Sequence, residues 1–393
     1  MQKPVSIGLA RMHKEPGERR DFLPSFVSRL EKYEANVVLE YGYGAGMDFL
    51  EGDYHQIAPS IRFANRSEVY QQDFVLVLRY PDDEDVSLMR PGSCLITMAH
   101  YPTRPQRVAF LRKLGIEVIS LDSIKDDTGR RLVENLKAVA WNGIEAAFRV
   151  LRSTYPDPGF GSPNRPPIQV TLIGAGAVGA QVVPAAIRYG DEGMRERFSS
   201  AGIPGVIVTT IDYDITPHEA VMRELLSRTD MLIDATQRPD PGKPVIPNKW
   251  VGYLPKHAVL VDLSVDPYDC EGNAISIKGI EGIPQGNLDR YIFPPDDPAF
   301  DNLPECVSAT NRRYSVSCYS WPGIYPKKCM DLYGRQLRPI MHIAIEKGDP
   351  ANIEPEGTFF ERAIARGMLS RWKNDHDLSR SPGKEKTTPQ DGA

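Results

Sequence analysis

Short apolar runs recur along the chain, and most are followed by a stretch whose apolar residues fall at helical spacing. Val5–Gly8, Asn36–Glu40, Ile61–Phe63, Phe74–Leu78, Cys94–Met98 and Glu117–Leu121 read as strands. Leu23–Tyr33 places Phe26, Val27, Leu30 and Tyr33 on one helical face, and Met47–Ile57 and Arg104–Gly115 read as helices too. Strands alternating with helices predict a parallel sheet with helices on its faces. The same alternation resumes after the Pro/Gly-rich connector Tyr155–Pro163, with strands at Ile168–Ile173, Val206–Ile211, Met231–Ala235, Val259–Leu263 and Tyr314–Tyr319. Between the two runs, Asn135–Arg152 carries Leu136, Val139, Ala140, Ala147, Val150 and Leu151 on one face and is expected to span from one domain to the next. Helical segments follow from Pro326 to about Trp372, and Gly334 and Pro339 are expected to break or bend the first of them.

The pattern predicts an α/β protein with two Rossmann-like, doubly wound parallel-sheet domains and a cleft between them. The expected boundaries are 1–134 for a substrate-binding (catalytic) domain, 135–312 for a nucleotide-binding domain, 313–373 for a return to the first, and 374–393 for a polar, disordered tail.

The most informative stretch is Ile168–Asp212. A buried strand runs into Gly174-Ala-Gly176-Ala177-Val178-Gly179, a helix follows, and a second strand ends on Asp212. In a dinucleotide turn one glycine reverses the chain, one admits the pyrophosphate and one lets helix and strand pack closely, while the helix N-terminus offers N–H groups to the phosphates. Asp212 would accept hydrogen bonds from the adenosine ribose, which favours NAD over NADP without excluding the latter. It lies 33 residues after Gly179, where the usual spacing is about 20; the surplus, Asp191–Gly202, reads as a helical extension.

Composition narrows the field. The 393 residues carry a formal net charge of −5, with 41% hydrophobic and 25% charged residues, so neither nucleic acid nor an anionic membrane is expected as a partner. No apolar run approaches the ~18 residues of a membrane helix, and no signal-peptide core opens the chain. Five cysteines, at 94, 270, 306, 318 and 329, form no CxxC pair and no even framework, so reduced thiols in a cytoplasmic setting are expected. No histidine and cysteine spacing suggests a metal.

Ligands of open α/β sheets bind beyond the carboxyl ends of the strands. The polar residues there are Arg20 in the loop after the first strand, Arg79, His100 and Asp266. An imidazole suits proton transfer near neutrality, although a loop histidine with a structural hydrogen bond is the plain alternative. Arg19 and Arg20 offer the planar fork that matches a carboxylate, and surface arginines are otherwise commonly solvated. Asp266 would orient His100 or the nicotinamide ribose, or merely begin the turn at Pro267. Tyr319 and Trp321 either line the cleft or pack as core, and Asp230 and Asp234 read as turn or cap residues flanking a strand.

Several motifs, in order over about residues 3–345, resemble the family of alanine dehydrogenase, the soluble nicotinamide-binding part of transhydrogenase, lysine-forming saccharopine dehydrogenase and carboxyethyl-ornithine synthase. Lys14-Glu15-Pro-Gly-Glu18-Arg19-Arg20 looks like the family's N-terminal signature, Arg90–His100 like the segment bearing its catalytic histidine, Val261–Asp266 like the stretch ending in an active-site aspartate, and Trp321–Lys327 like the return to the first domain. The resemblance implies that Arg20 binds a substrate carboxylate and that His100 and Asp266 are catalytic. It also implies that Arg79 stands where alanine dehydrogenase has a substrate-binding lysine. The expected activity is an NAD-dependent amino-acid dehydrogenase, alanine-like or saccharopine/opine-like, acting on an amino acid or keto acid, with self-association into a homo-oligomer admitted. The alternative is a catalytically silent NAD-binding regulator on the same scaffold.

Overall fold

The computed structural model describes residues 4–12, 15–270 and 275–373; the expected tail at 374–393 lies outside them. Two compact units emerge. One comprises residues up to 12, 21–134 and those from 333 onward; the other comprises the segment ending at Arg20 and 135–332.

The first unit is built on six strands, β1 (Ser6–Leu9), β2 (Asn36–Glu40), β3 (Arg62–Ala64), β4 (Phe74–Arg79), β5 (Cys94–Met98) and β6 (Glu117–Ser120). They pair in parallel in the order β3-β2-β1-β4-β5-β6. Near-continuous burial of Phe74–Leu78 and Cys94–Thr97 fits strands covered on both faces. The helix Pro24–Lys32 starts with a proline whose missing N–H costs nothing at that position. At the other end of the unit's sequence, Thr358 and Glu361 form a capping box that starts the helix Phe359–Gly367. Just beyond it, Leu369 N–H donates to Val118 O (2.8 Å), and Tyr101 Oη donates to the carbonyls of Val118 and Gly367.

The second unit holds β7 (Ile168–Ile173), β8 (Val206–Ile211), β9 (Met231–Asp234), β10 (Val259–Asp262), β11 (Ile292–Phe293) and β12 (Tyr314–Ser317). Their order is β8-β7-β9-β10-β12-β11, parallel except for β11. The helix Leu136–Thr154 lies wholly in this unit. Its Ala140, Ile144, Ala147, Phe148 and Leu151 pack with Val170, Leu172, Val182, Ile233 and Val261 in one core, so it is no bridge.

Three further expectations are corrected. The return to the first unit comes at residue 333 rather than 313, because β12 pairs with β10 and completes the second sheet. The helix Pro326–Lys347 is not broken at Gly334 or Pro339, both of which lie within it; Gly334 serves close packing, since a Cβ there would stand 3.3 Å from Phe26 Cβ. Not all thiols are reduced: Cys270 and Cys306 form a disulfide, Cα–Cα 6.4 Å, while Cys94, Cys318 and Cys329 are buried and take no part in it. A separation of 36 residues across irregular loops leaves no spacing signature from which that pairing could be read.

Candidate functional site

In each sheet the strand order reverses beside the first strand of the unit, between β1 and β4 and between β7 and β9. Such switch points open a crevice at the carboxyl ends of the strands. The glycine turn occupies one of them. Gly174, at φ +96, leaves β7 so close to β9 that an added Cβ would lie 2.7 Å from Ala235 O. Gly179 begins the helix Gly179–Ile187, and a Cβ there would meet Gly174 O at 2.1 Å. Gly176 is the opposite case, with nothing within 4 Å of its Cβ position. Ala175, Gly176 and Ala177 are exposed and Val178 half-buried, and the first N–H groups of a helix have no partners within it. The residues present therefore fit a pyrophosphate: open space over Gly176 and donors from Ala177, Val178 and Gly179.

The long interval before Asp212 does not displace it. The surplus folds as the helix Met194–Ser200, and β8 returns in register with β7, Ile173 opposite Ile211. Asp212 Oδ2 accepts from Ala175 N–H at 3.2 Å, and Oδ1 from Tyr213 N–H at 2.8 Å.

On the first sheet, His100 follows β5 in the left-handed region (φ 54, ψ 48). A non-glycine residue there costs on the order of 1–3 kcal/mol, so its surroundings must hold it. The holder is Asp122, just past β6. Its Oδ1 accepts from His100 N–H (3.2 Å) and from Ser120 Oγ (2.7 Å), and its Oδ2 lies 3.4 Å from His100 Nδ1. Burial pushes the Asp122 carboxyl up, but the contacts with His100 and Ser120 outweigh it and leave the group at about 2. The His100 ring is half exposed. Asp122 is therefore a carboxylate that orients His100. Asp122 satisfies the same strand-end rule that selected His100, and the run Leu121-Asp122-Ser123 carried that signal. Arg79 closes β4, where the pairing register with β5 shifts between Leu76 and Arg79. Arg107, also unpredicted, stacks 3.9 Å over the Tyr80 ring and donates to Ala99 O.

Arg20 departs from expectation. It clusters with the second unit and is 2% exposed. Its guanidinium is held by both oxygens of Glu18 (Nε–Oε1 2.8 Å, Nη2–Oε2 2.5 Å), by Ser320 Oγ at 3.0 Å and by Cys329 Sγ. Burial lowers its pKa and Glu18 more than reverses that, so the cation is firmly retained. Arg20 is thus not the open fork the motif implied, because Glu18 fills the bidentate position.

At the carboxyl ends of β9 and β10, Asp234 and Asp262 stand opposite one another in register. Both are 1% exposed. Asp262 pairs with Lys278 Nζ at 2.6 Å. Asp234 accepts from Thr236 N–H and Oγ1, while its Oδ2 makes no hydrogen bond. Burial, reinforced by Asp262, pushes the Asp234 carboxyl up to about 6. Asp234 is therefore a buried acid that also caps the turn after β9 through Thr236 N–H; Asp230 instead makes long-range bonds, accepting from Gln169 N–H and from His257. Asp266 is paired with Arg238, 2.8 Å away. Trp321 is core, fully buried, its Nε1 donating to Asp262 O. Tyr319 is part-buried, its Oη 3.3 Å from Pro16 O. Among the described residues no group of histidine, cysteine and acidic side chains could hold a metal, and no helix is long and apolar enough to cross a membrane.

Residues 11–140 match the family model "Alanine dehydrogenase/PNT, N-terminal domain". The NAD(P) transhydrogenase subunit alpha of Haemophilus influenzae is 21% identical, over 92% of this chain and 70% of its own length. The alanine dehydrogenase of Bacillus subtilis is 24% identical over 66% of this chain and 70% of its own length. Among solved structures, an L-alanine dehydrogenase superposes with a TM-score of 0.68 over 93% of this chain and 94% of its own, at 18% identity. A transhydrogenase from Sinorhizobium meliloti superposes with 0.58 over 88% and 96%, at 17% identity. These likenesses establish a shared α/β fold.

Proposed function

We propose, from the match of residues 11–140 to the alanine dehydrogenase/PNT N-terminal family model, that this protein is an NAD-dependent amino-acid dehydrogenase. The observation that carries the reading is the coexistence of two prepared devices. One is a glycine turn left open only at Gly176; the other is a strained imidazole held by the buried carboxylate of Asp122 at a strand end. A bound nicotinamide supplies the hydride acceptor, which no side chain can provide. The chain's own part is to bind, orient and move protons. Ala177, Val178 and Gly179 would hold the pyrophosphate and Asp212 the adenosine ribose, an acidic partner that disfavours a 2′-phosphate. Arg79, permanently charged, would hold the substrate carboxylate now that Arg20 is committed to Glu18. His100, oriented by Asp122, would exchange a proton with the carbinolamine as the amine leaves or adds, and Asp266 would take a hydrogen bond from the substrate amine.

The test is an absorbance assay of NAD and NADP reduction across amino acids and opines, with the reverse panel of keto acids plus ammonia or amino acids. Turnover on an amino acid is the expected result, and a secondary-amine product selects the opine branch. Tight NAD binding with silence throughout would overturn the enzyme reading in favour of a regulator.

A further inference from the structure

The loop that follows β10 is anchored far more heavily than an Asp-Pro turn requires. Asp262, at the end of the strand, accepts Lys278 Nζ (2.6 Å) and Ser317 Oγ (2.9 Å) on Oδ2, and Val265 N–H (2.9 Å) on Oδ1. Val265 is β-branched yet sits at φ 61, a conformation such residues adopt only when the surroundings impose it. Lys278, 1% exposed, donates a second bond to the backbone carbonyl of Asp266 at 3.0 Å. The Asp266 side chain is gripped separately. Arg238, 6% exposed, donates from Nη2 to Asp266 Oδ2 (2.8 Å) and to Ile277 O, while its Nη1 bonds the carbonyls of Lys243 (2.7 Å) and Pro241. Gly279, next to Lys278, has no room for a side chain, since a Cβ would come 2.1 Å from Asp234 Oδ2.

Two buried cations thus meet at Asp266, Lys278 on its backbone carbonyl and Arg238 on its one-third-exposed carboxylate, with the strained Val265 just before it. Burying a lysine and an arginine is costly, and a turn alone could be held by neutral hydrogen bonds. What these contacts determine is where Asp266 points. Among the described residues only its Oδ2 receives a hydrogen bond, leaving Oδ1 as the acceptor still available.

We propose that Lys278 and Arg238 are positioning residues for Asp266, one fixing its backbone and the other its side chain, so that Oδ1 is kept open to accept an N–H from a substrate amine. The role given to the amine rests on the dehydrogenase reading; the pinning of the loop does not. Neither cation needs to touch substrate, and each acts through Asp266.

The test uses the full chain and the variants Arg238→Met and Lys278→Met. Lys278→Met strands Asp262 without its counter-charge, so Asp262→Asn/Lys278→Met is made beside it and Arg238→Met stands as an independent probe. Hydrogen exchange over residues 263–270 should quicken at least ~10-fold in each variant, with NAD affinity, measured by fluorescence titration, within about twofold of wild type. For an amino-acid substrate kcat should fall by ~10²-fold, the scale of a misplacement of about 1 Å, with KM changing less. Exchange at the wild-type rate in folded variants would overturn the pinning. Quickened exchange with unchanged kcat would overturn the role given to Oδ1. If wild type turns over no amino acid, the dehydrogenase reading and the amine role fail together, and the exchange rates still decide the pinning.

Discussion

Asp234 invites a substitution that should make the protein more stable. Its carboxyl is displaced from 3.8 to about 6 by burial and by Asp262 on the neighbouring strand. An acid whose folded pKa is raised destabilises the fold in its ionised form. That penalty is absent below about pH 3.8, grows as pH rises toward 6 and is complete above it. A displacement of about 2 units at ~1.36 kcal/mol each makes the full penalty about 3 kcal/mol. Asp234→Asn removes the charge and keeps the acceptor that Thr236 uses. The new amide nitrogen would replace Oδ2, the oxygen that Thr236 does not use. The variant should therefore gain up to ~3 kcal/mol at pH 8, or roughly 6–12 °C in the midpoint of a unit of this size. At pH 4 the gain should be close to nothing. Calorimetric or fluorescence-detected melting at pH 4, 6 and 8 measures this directly. A gain of equal size at all three, or a loss at pH 8, would refute the argument, because neither follows from removing a titrating buried charge.

Other expectations concern the two devices of the site. His100→Ala should lower turnover by at least ~10²-fold; a near-normal steady-state rate removes it from the mechanism. Asp122→Asn should slow turnover as well and should leave an acid-melting signature. The Asp122 carboxyl sits at about 2 in the fold, so its stabilising effect is present above about pH 4 and disappears as pH falls through 2; the variant's urea midpoint should therefore change less than wild type's between pH 4 and 2. Gly176→Val should abolish NAD binding in a fluorescence titration with an unchanged melting midpoint, because that Cβ meets no protein atom; Gly179→Ala should lower the midpoint, because its Cβ would collide with Gly174 O. Asp212→Ala should raise NADP-linked relative to NAD-linked activity, and an unchanged ratio of kcat/KM values would exclude it as the selector.

The fold was legible wherever a strand was a short apolar run, which covers all eleven parallel strands, β1 to β10 and β12, apart from small shifts at their ends. The glycine turn was legible because its demands are steric and local. Asp122 could have been found by the rule that found His100, and was hidden only by an apolar run that continued to Leu121. The partners of Arg20, Asp262 and Asp266 could not, because Ser320, Lys278 and Arg238 lie in irregular segments whose proximity is set by tertiary structure. The Glu18–Arg20 pair shows the limit of a motif. A signature two residues apart can be a substrate fork or a closed salt bridge, and only burial distinguishes them. The Cys270–Cys306 bond was illegible for the same reason, since a cysteine count carries no information about which loops meet.

The first unit is discontinuous in sequence, and this has a consequence for how the chain matures on the ribosome. Its sixth strand, complete at Ser120, receives a hydrogen bond from Leu369 and shares Tyr101 with Gly367. At synthesis rates of about 5–20 residues per second, those partners emerge roughly 12–50 seconds after the strand they cover. Residues 135–332 can meanwhile form their own core without anything that follows. The nascent protein thus holds a finished second unit while the earlier sheet still waits with an uncovered flank, and that interval is when a chaperone would be needed.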